Sequence, residues 1–208
     1  GCVQVEHKPA VRVVVRVDPF GSHLAQTSSF KMSVYDRHPE DFLRRYEHAD
    51  TAEIHADWLS LLPSTQLLVL DVGAGSGRDA AWFAEQDHEV VAVEPADDLR
   101  KRAQEHHSSP RIQWIDDRLP GLEAVHDLDY RFDLILLNGV WMHVPSSSRK
   151  RAFRKLTTLL KPGGHLIITL RSEQPDDERR TYATSVSELR DLSRSFALEF
   201  LQVTESSD

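Results

Sequence analysis

Short apolar runs alternate with amphipathic stretches through most of this 208-residue chain, and this alternation restricts its fold more than any other feature. The stretches between the runs have helical spacing, most clearly 145–160, which the basic and Pro-Gly-Gly residues after it should end. Strands that alternate with helices form βαβ units, and nearly continuous apolar runs are typical of parallel strands covered on both faces. The pattern predicts an α/β fold, a doubly wound, mostly parallel Rossmann-like sheet with helices on both faces. Strands are expected at 67–70, 89–93, 112–115, 132–137 and 165–170, with 197–203 as a sixth.

The residues before this alternation divide into two parts. Residues 35–62 have helical spacing and are expected to form lead-in helices before a core at 67–204. Residues 1–34 are interpreted as an N-terminal extension or linker. Within them, the valines at alternate positions of 11–17 indicate one strand. We therefore expect one main domain, residues 35–208, behind a short extension.

Charge and cysteine content exclude several classes of function. The net charge of −8 argues against sequence-independent binding of nucleic acid, which needs clustered positive charge. A single cysteine, Cys2, leaves no internal disulfide, and no convincing set of metal ligands is present. No apolar run approaches the roughly 18 residues of a membrane-spanning helix. These features make nucleic acid a less favoured partner and favour a cytoplasmic protein without metal or membrane.

A glycine-rich segment lies where the first strand of the alternation gives way to a helix. Its sequence is Asp71-Val72-Gly73-Ala74-Gly75-Ser76-Gly77-Arg78. Glycines there allow a tight turn and close approach of a ligand, and the helix start adds free N–H groups. Asp71 suits a ligand with an amino or cationic group better than a pyrophosphate. Glu94 ends the second strand, where an acid binds ribose hydroxyls in this architecture.

With these motifs in order, residues 35–204 resemble the class I S-adenosylmethionine-dependent methyltransferases. The segment 70–77 resembles the family's glycine motif, 91–95 its second strand, 132–138 its fourth strand and 159–164 its approach to the fifth. The resemblance implies S-adenosylmethionine as cofactor, S-adenosylhomocysteine as product and a small-molecule acceptor. It implies cofactor contacts by Asp71, Gly73, Ala74, Gly75, Glu94, Pro95, Asp116, Asp117, Asn138 and Gly139. The turn at 116–120 is one residue shorter than usual, so either aspartate could contact adenine.

The sequence defines the binding site of the methyl acceptor less well than that of the cofactor. His143, just past the fourth strand, is the candidate general base, and the alternative is that it packs the next helix. Trp141, Tyr35, Tyr46 and Arg171 are the candidate substrate contacts. The two tyrosines are at least as suited to packing a lead-in helix, and Arg171 to a solvated strand end. Asn138 is followed by Gly139-Val140-Trp141 rather than Pro-Pro-aromatic, and no Pro-Cys pair is present. The adenine-N6 and cytosine-C5 DNA methyltransferase patterns are therefore absent from the sequence.

The same resemblance implies a seventh strand, and residues 204–208 do not provide one. We expect 11–17 to fill that position, from the same chain or by exchange in a dimer, with the arginines favouring a sheet edge. This gap keeps a non-catalytic S-adenosylmethionine-binding module as an alternative function. An NAD(P)-dependent oxidoreductase is a third, disfavoured by Asp71 and Arg78.

Overall fold

The computed structural model of the protein describes residues 10–18, 51–171 and 181–203. Within these ranges, seven strands form one sheet. The strands are β1 Arg12–Asp18, β2 Leu68–Val72, β3 Glu89–Val93, β4 Ile112–Ile115, β5 Phe132–Asn138, β6 Leu160–Arg171 and β7 Glu199–Val203. The helices are α1 Thr51–Ile54, α2 Ala56–Leu59, α3 Arg78–Glu85, α4 Asp97–His106, α5 Glu123–Asp127, α6 Ser146–Leu159 and α7 Val186–Ser195, with a 3-10 helix at Trp141–His143.

The sheet is parallel at every pairing, in the order β4-β3-β2-β5-β6-β1-β7. Strand order reverses between β2 and β5: the chain runs outward from β2 to β3 and β4, then returns to β5 on the other side. In open α/β sheets, ligands bind in the crevice outside the carboxyl ends of the strands at this reversal. The expected doubly wound fold is confirmed, and its topology places a ligand site after β2 and β5.

Strand β1 lies between β6 and β7, and both neighbours belong to the same chain. Val13, Val14 and Val15 are fully buried there. The arginines do not keep the strand at the sheet edge, which β7 occupies instead. Arg12 pairs with Glu199 at the open amino end, 2.9 Å away, and the buried Arg16 pairs with Asp57 of α2 at 3.1 Å. An interior position is tolerated because each arginine reaches a carboxylate.

Hydrophobic cores lie on both faces of the sheet. One is formed mainly by α5, α6 and α7 against alternate strand residues, with Phe132, Phe153 and Leu156 fully buried. The other packs α2 and α3 against the opposite face through Trp58 and Phe83. Alternation along each strand supplies both cores, as expected for a sheet covered on both sides. No helix among the described residues is long and apolar enough to cross a membrane.

Two local expectations differ from the structure. The helical spacing at 50–62 produces two short helices, α1 and α2, separated at His55 rather than one continuous helix. Strand β6 begins at Leu160, so the Lys-Pro-Gly-Gly segment lies within the strand, where a register shift against β5 accommodates it. Ser185 caps α7, because its hydroxyl accepts the Glu188 N–H at 3.1 Å. Residues 19–50, including most of the linker and the first lead-in helix, lie outside the described ranges.

Candidate functional site at the carboxyl edge of the sheet

The glycine loop turns tightly from β2 into α3. Gly73, Gly75 and Gly77 have φ angles of +74°, +59° and +84°, which L side chains rarely adopt. The N–H groups of Gly73 and Ala74 both donate to the Val93 carbonyl, at 2.8 and 2.9 Å, which fixes the loop against β3. A Cβ on Gly73 would lie 2.6 Å from Cγ2 of Val140. Residues 73–75 remain partly exposed, so their backbone forms one surface of the crevice.

Glu94 lies across from this loop, immediately after β3. Its Oε2 accepts the Gly75 N–H at 2.9 Å and its Oε1 accepts the Ala96 N–H at 2.8 Å. Burial raises the pKa of Glu94, while these two backbone donors oppose that rise. Each carboxylate oxygen keeps a second lone pair. The side chain is therefore held in place and can still accept two hydroxyl groups.

A cluster of buried polar side chains lies beneath the loop. Asp79, in the first turn of α3, accepts from the Asn138 amide at 3.0 Å and pairs with Arg78 at 2.8 Å. The Nε2 atom of the fully buried His55 lies 3.4 Å from Oδ2 of Asp79. Asp71 also accepts from the Ala80 N–H, but its Oδ2 is buried without a hydrogen-bond partner. The cluster joins the glycine loop, the end of β5 and the α1–α2 segment.

The pKa values of the two aspartates in this cluster, Asp71 and Asp79, shift in opposite directions. Burial, and next the Asp79 carboxylate, raise the pKa of Asp71 well above its usual range. Burial acts in the same direction on Asp79, but His55, Arg78 and Asn138 outweigh it and hold the pKa of Asp79 well below its usual range. Asp79 is thus the stabilised anion of the pair. Ionisation of Asp71 is unfavourable in this environment, and a cation bound at the site would oppose the rise in its pKa.

We expect Asp71→Asn to stabilise the ligand-free protein while weakening the site. A carboxyl with a raised folded-state pKa binds its proton more tightly than in the unfolded chain, so its ionisation opposes folding at higher pH. Asparagine removes the charge and keeps an oxygen for the Ala80 N–H. Urea unfolding at pH 7.5 should show a gain of about 0.5–2 kcal/mol, which shrinks as pH falls because native Asp71 then gains its proton.

The exposed Asp98 of α4 provides the matched control for this substitution. Asp98→Asn should leave the free energy of unfolding within about 0.5 kcal/mol of the wild type. A loss of stability in Asp71→Asn at pH 7.5 would contradict the unfavourable charge.

In the turn after β4, the two aspartates that are candidates for contacting adenine have different environments. Asp117 uses both oxygens on backbone donors, Arg118 N–H at 2.7 Å and Val125 N–H at 3.0 Å. Asp116 is 60% exposed, and its nearest cation is Arg100 at 3.6 Å. Asp117 therefore holds the turn, whereas Asp116 keeps an exposed carboxylate that is close enough to Glu94 to raise the pKa of that acid.

The remaining predicted residues fall into three groups. Pro95, Asn138 and Gly139 lie partly exposed at the carboxyl edge, as does Arg171 at the end of β6. His143 ends the 3-10 helix and is half-buried. Tyr35 and Tyr46 lie outside the described residues.

Trp141 requires a correction, because the structure places it in the core rather than in a pocket wall. It is fully buried, with its ring edge-on to Phe153 at 6.4 Å between centroids. The guanidinium of Arg149 lies 5.9 Å from its centroid. An aromatic residue that follows a loop glycine is as suited to core packing as to a ligand, and here α6 covers it.

Sequence reasoning missed Asp79, His55 and Arg149. Asp79 could have been identified from the sequence, because an acid two residues after the last loop glycine must lie at the start of the helix. His55 stands three residues before Trp58 on an apolar stripe. Arg149 belongs to a run of basic residues at 149–155, and such a run by itself predicts an exposed helix face. Arg149 is instead 3% exposed and donates to the carbonyls of Val144, Ala183 and Tyr182 and to Glu188. It fastens residues 182–188 next to the 3-10 helix.

Comparisons with known proteins agree with this arrangement. A family model described as a methyltransferase domain matches residues 69–164. An uncharacterized methyltransferase of Mycobacterium tuberculosis is 30% identical over 119 residues, which is 56% of this chain and 58% of that protein. A ubiquinone biosynthesis O-methyltransferase of Xylella fastidiosa is 31% identical over 118 residues, covering 56% of this chain and 47% of that protein. The chain thus spans about half the length of these curated relatives.

A solved structure extends the similarity over more of the fold. The 1,6-didemethyltoxoflavin-N1-methyltransferase of Burkholderia thailandensis, crystallised with 1,6-didemethyltoxoflavin and S-adenosylhomocysteine, is 26% identical to this chain. The TM-score is 0.57, over 78% of this chain and 72% of that one. In its motifs, its sheet and these matches, the chain is similar to S-adenosylmethionine-dependent methyltransferases, and residues 69–164 carry the methyltransferase-domain match.

Proposed function

We propose that this protein transfers a methyl group from S-adenosylmethionine to a small-molecule acceptor and leaves S-adenosylhomocysteine. The observation that carries the proposal is the Glu94 carboxylate held against the glycine loop at the strand-order reversal. This arrangement offers two acceptors for ribose hydroxyls beside a turn that only glycine backbone permits.

The residues present fit the cofactor at each of its polar groups. Glu94 would accept the ribose hydroxyls, and the backbone of 73–75 would lie under the ribose and methionine portions. The Oδ2 of Asp71, which has no partner among the described residues, would be the acceptor for the cationic amino group. Asp116 would accept from the adenine amino group, because Asp117 is occupied by backbone donors. Asn138 and Gly139 would border the methionine end, and Pro95 would border the ribose.

When bound, S-adenosylmethionine supplies a methyl group already activated by its sulfonium. The protein therefore needs mainly to hold an acceptor in line and to exclude water. Asp79 orients Asn138 at the end of β5 through the hydrogen bond at 3.0 Å. His143, five residues after Asn138, is the candidate to take a proton from an acceptor hydroxyl or amine.

A small-molecule acceptor is supported by the named relatives. The Burkholderia thailandensis protein is an N1-methyltransferase and the Xylella fastidiosa protein an O-methyltransferase. Both names refer to small molecules but to different acceptor atoms, so the proposal leaves the atom open. The net charge of −8 also disfavours a nucleic-acid acceptor.

Calorimetric titration with S-adenosylhomocysteine and NADH tests the proposal. We expect a single S-adenosylhomocysteine site with a Kd in the micromolar range, from about 1 to 100 μM, and no heat from NADH. Binding of NADH alone would favour the oxidoreductase alternative. Absence of S-adenosylhomocysteine binding to a folded sample, checked by circular dichroism, would overturn the assignment. A subsequent screen of phenols and amines for methylated product separates a catalyst from a non-catalytic binding module.

A further inference from the structure

We propose that the methyl acceptor carries an oxyanion, a carboxylate or a phosphate, and that Arg171 binds it. This inference rests on the proposed methyltransferase function and names the substrate class of that site. Three observations at the carboxyl edge of the sheet support it: the position of the Arg171 guanidinium, the groups around it, and a second polar side chain on the same face of β6.

The Arg171 guanidinium lies against Gly139, directly beyond β5. In the sheet, Asn138 pairs with Thr169, so the next positions along the two strands bring Gly139 and the end of β6 together. A Cβ on Gly139 would lie 3.3 Å from Nη2 and 3.4 Å from Nε of Arg171. Gly139 also has a φ of +68°. The guanidinium therefore lies next to the residue that borders the methionine end of the proposed cofactor site.

No carboxylate of the described residues lies within 4.0 Å of this guanidinium, although several other cations of the fold are paired. Arg16 reaches Asp57 at 3.1 Å, Arg149 reaches Glu188 at 2.7 Å and Lys161 reaches Asp133 at 2.8 Å. Arg171 is partly buried, so it has lost some hydration without gaining a counter-ion from residues 10–18, 51–171 or 181–203. A planar guanidinium in that state is suited to a bidentate bond with a carboxylate or phosphate.

Thr169 adds a polar group on the same face of β6. It precedes Arg171 by two residues, and residues i and i+2 of a strand share a face. Thr169 is 2% exposed, and its buried Oγ1 has no hydrogen-bond partner among the described residues. A buried hydroxyl without a partner is unfavourable. The partly exposed Arg171 is the group that an acceptor oxyanion can reach, and Thr169 leaves an unsatisfied hydroxyl two residues away on the same face.

The test uses the protein saturated with S-adenosylhomocysteine and three probes of similar shape: benzoate, phenyl phosphate and benzamide. Two-dimensional ¹H–¹⁵N spectra report the Gly139 amide and the Arg171 Nε–H during each titration. We expect at least one anion to shift both signals with saturation, and benzamide to bind about ten-fold more weakly or not at all. The anion that binds more tightly decides between a carboxylate and a phosphate.

Variants test whether the spectral shifts caused by the anion depend on Arg171. Arg171→Gln should lower the affinity for the anion at least about ten-fold. Arg171→Lys should restore part of that affinity, because lysine supplies the positive charge without the planar guanidinium. Arg194→Gln, at an exposed arginine of α7, should change nothing. Shifts that persist in Arg171→Gln, or that benzamide reproduces, would overturn the proposal while S-adenosylhomocysteine still binds. Failure of S-adenosylhomocysteine itself to bind would instead remove the methyltransferase function and this inference with it.

Discussion

Replacing Glu94 with alanine is expected to weaken S-adenosylhomocysteine binding about 100-fold or more. Hydrogen bonds to a charged group contribute about 1.5–3 kcal/mol each, and two ribose hydroxyls would lose their acceptor together. The substitution also releases the N–H groups of Gly75 and Ala96, which Glu94 holds at 2.9 and 2.8 Å. The loop would then lose part of its preformed geometry, which adds to the loss of affinity. Calorimetric titration of the wild type and the variant measures the difference.

Two further variants make this result specific. Glu94→Gln keeps the shape and one acceptor oxygen but loses the charge, so its affinity should fall between those of alanine and the wild type. Glu89→Ala removes an acid that pairs with Arg111 at the amino end of the same strand, and it should bind like the wild type. Similar affinity in Glu94→Ala and wild type would mean that the ligand does not use this carboxylate.

The largest effect on stability is expected from Arg149→Ala, at about 3–5 kcal/mol of unfolding free energy. The arginine is 3% exposed and satisfies three backbone carbonyls and Glu188. Alanine would leave the Glu188 carboxylate without its cation and the carbonyls without a donor. It would also remove the guanidinium from Trp141. For a domain of this size, the change corresponds to a fall in Tm of roughly 10 °C.

A double variant and an exposed control distinguish this explanation from a general loss of packing. Adding Glu188→Gln to Arg149→Ala should recover part of the stability, because the carboxylate would no longer be charged and unpaired. Arg154→Ala, on the exposed face of the same helix, should change the free energy of unfolding by less than about 0.5 kcal/mol. If urea unfolding gives less than about 1 kcal/mol for Arg149→Ala, residues 182–188 are not held by this side chain.

The parts of the fold that follow local rules could be predicted from the sequence. The strand at 112–115 has the expected bounds, and β5 extends the expected 132–137 by one residue, because apolar runs and turn residues define such elements locally. The contact by which Ser185 caps α7 is equally local, since its partner lies three residues later. The glycine loop and Glu94 were recognisable because a backbone turn and a strand end fix their positions.

Features that depend on distant partners could not be predicted in this way. The arginines of β1 suggested an edge strand, since nothing in the sequence connects Arg16 with Asp57, 41 positions later. The burial of Arg149 depends on carbonyls more than 30 residues away. Trp141 was assigned to a pocket because the sequence does not show which elements cover it. Charged and aromatic side chains take their roles from tertiary neighbours, and a single sequence leaves those neighbours undetermined.

The contacts of Asp79 have a thermodynamic consequence. One carboxylate touches His55 between α1 and α2, and it also holds Asn138 at the end of β5. A ligand that favours this placement of Asp79 must also favour docking of α1 and α2 onto the sheet. By linkage, docking of these helices raises the affinity for that ligand by the same factor. Couplings of this kind are typically about 1–3 kcal/mol, so occupancy of the glycine loop and order in the α1–α2 segment should rise and fall together.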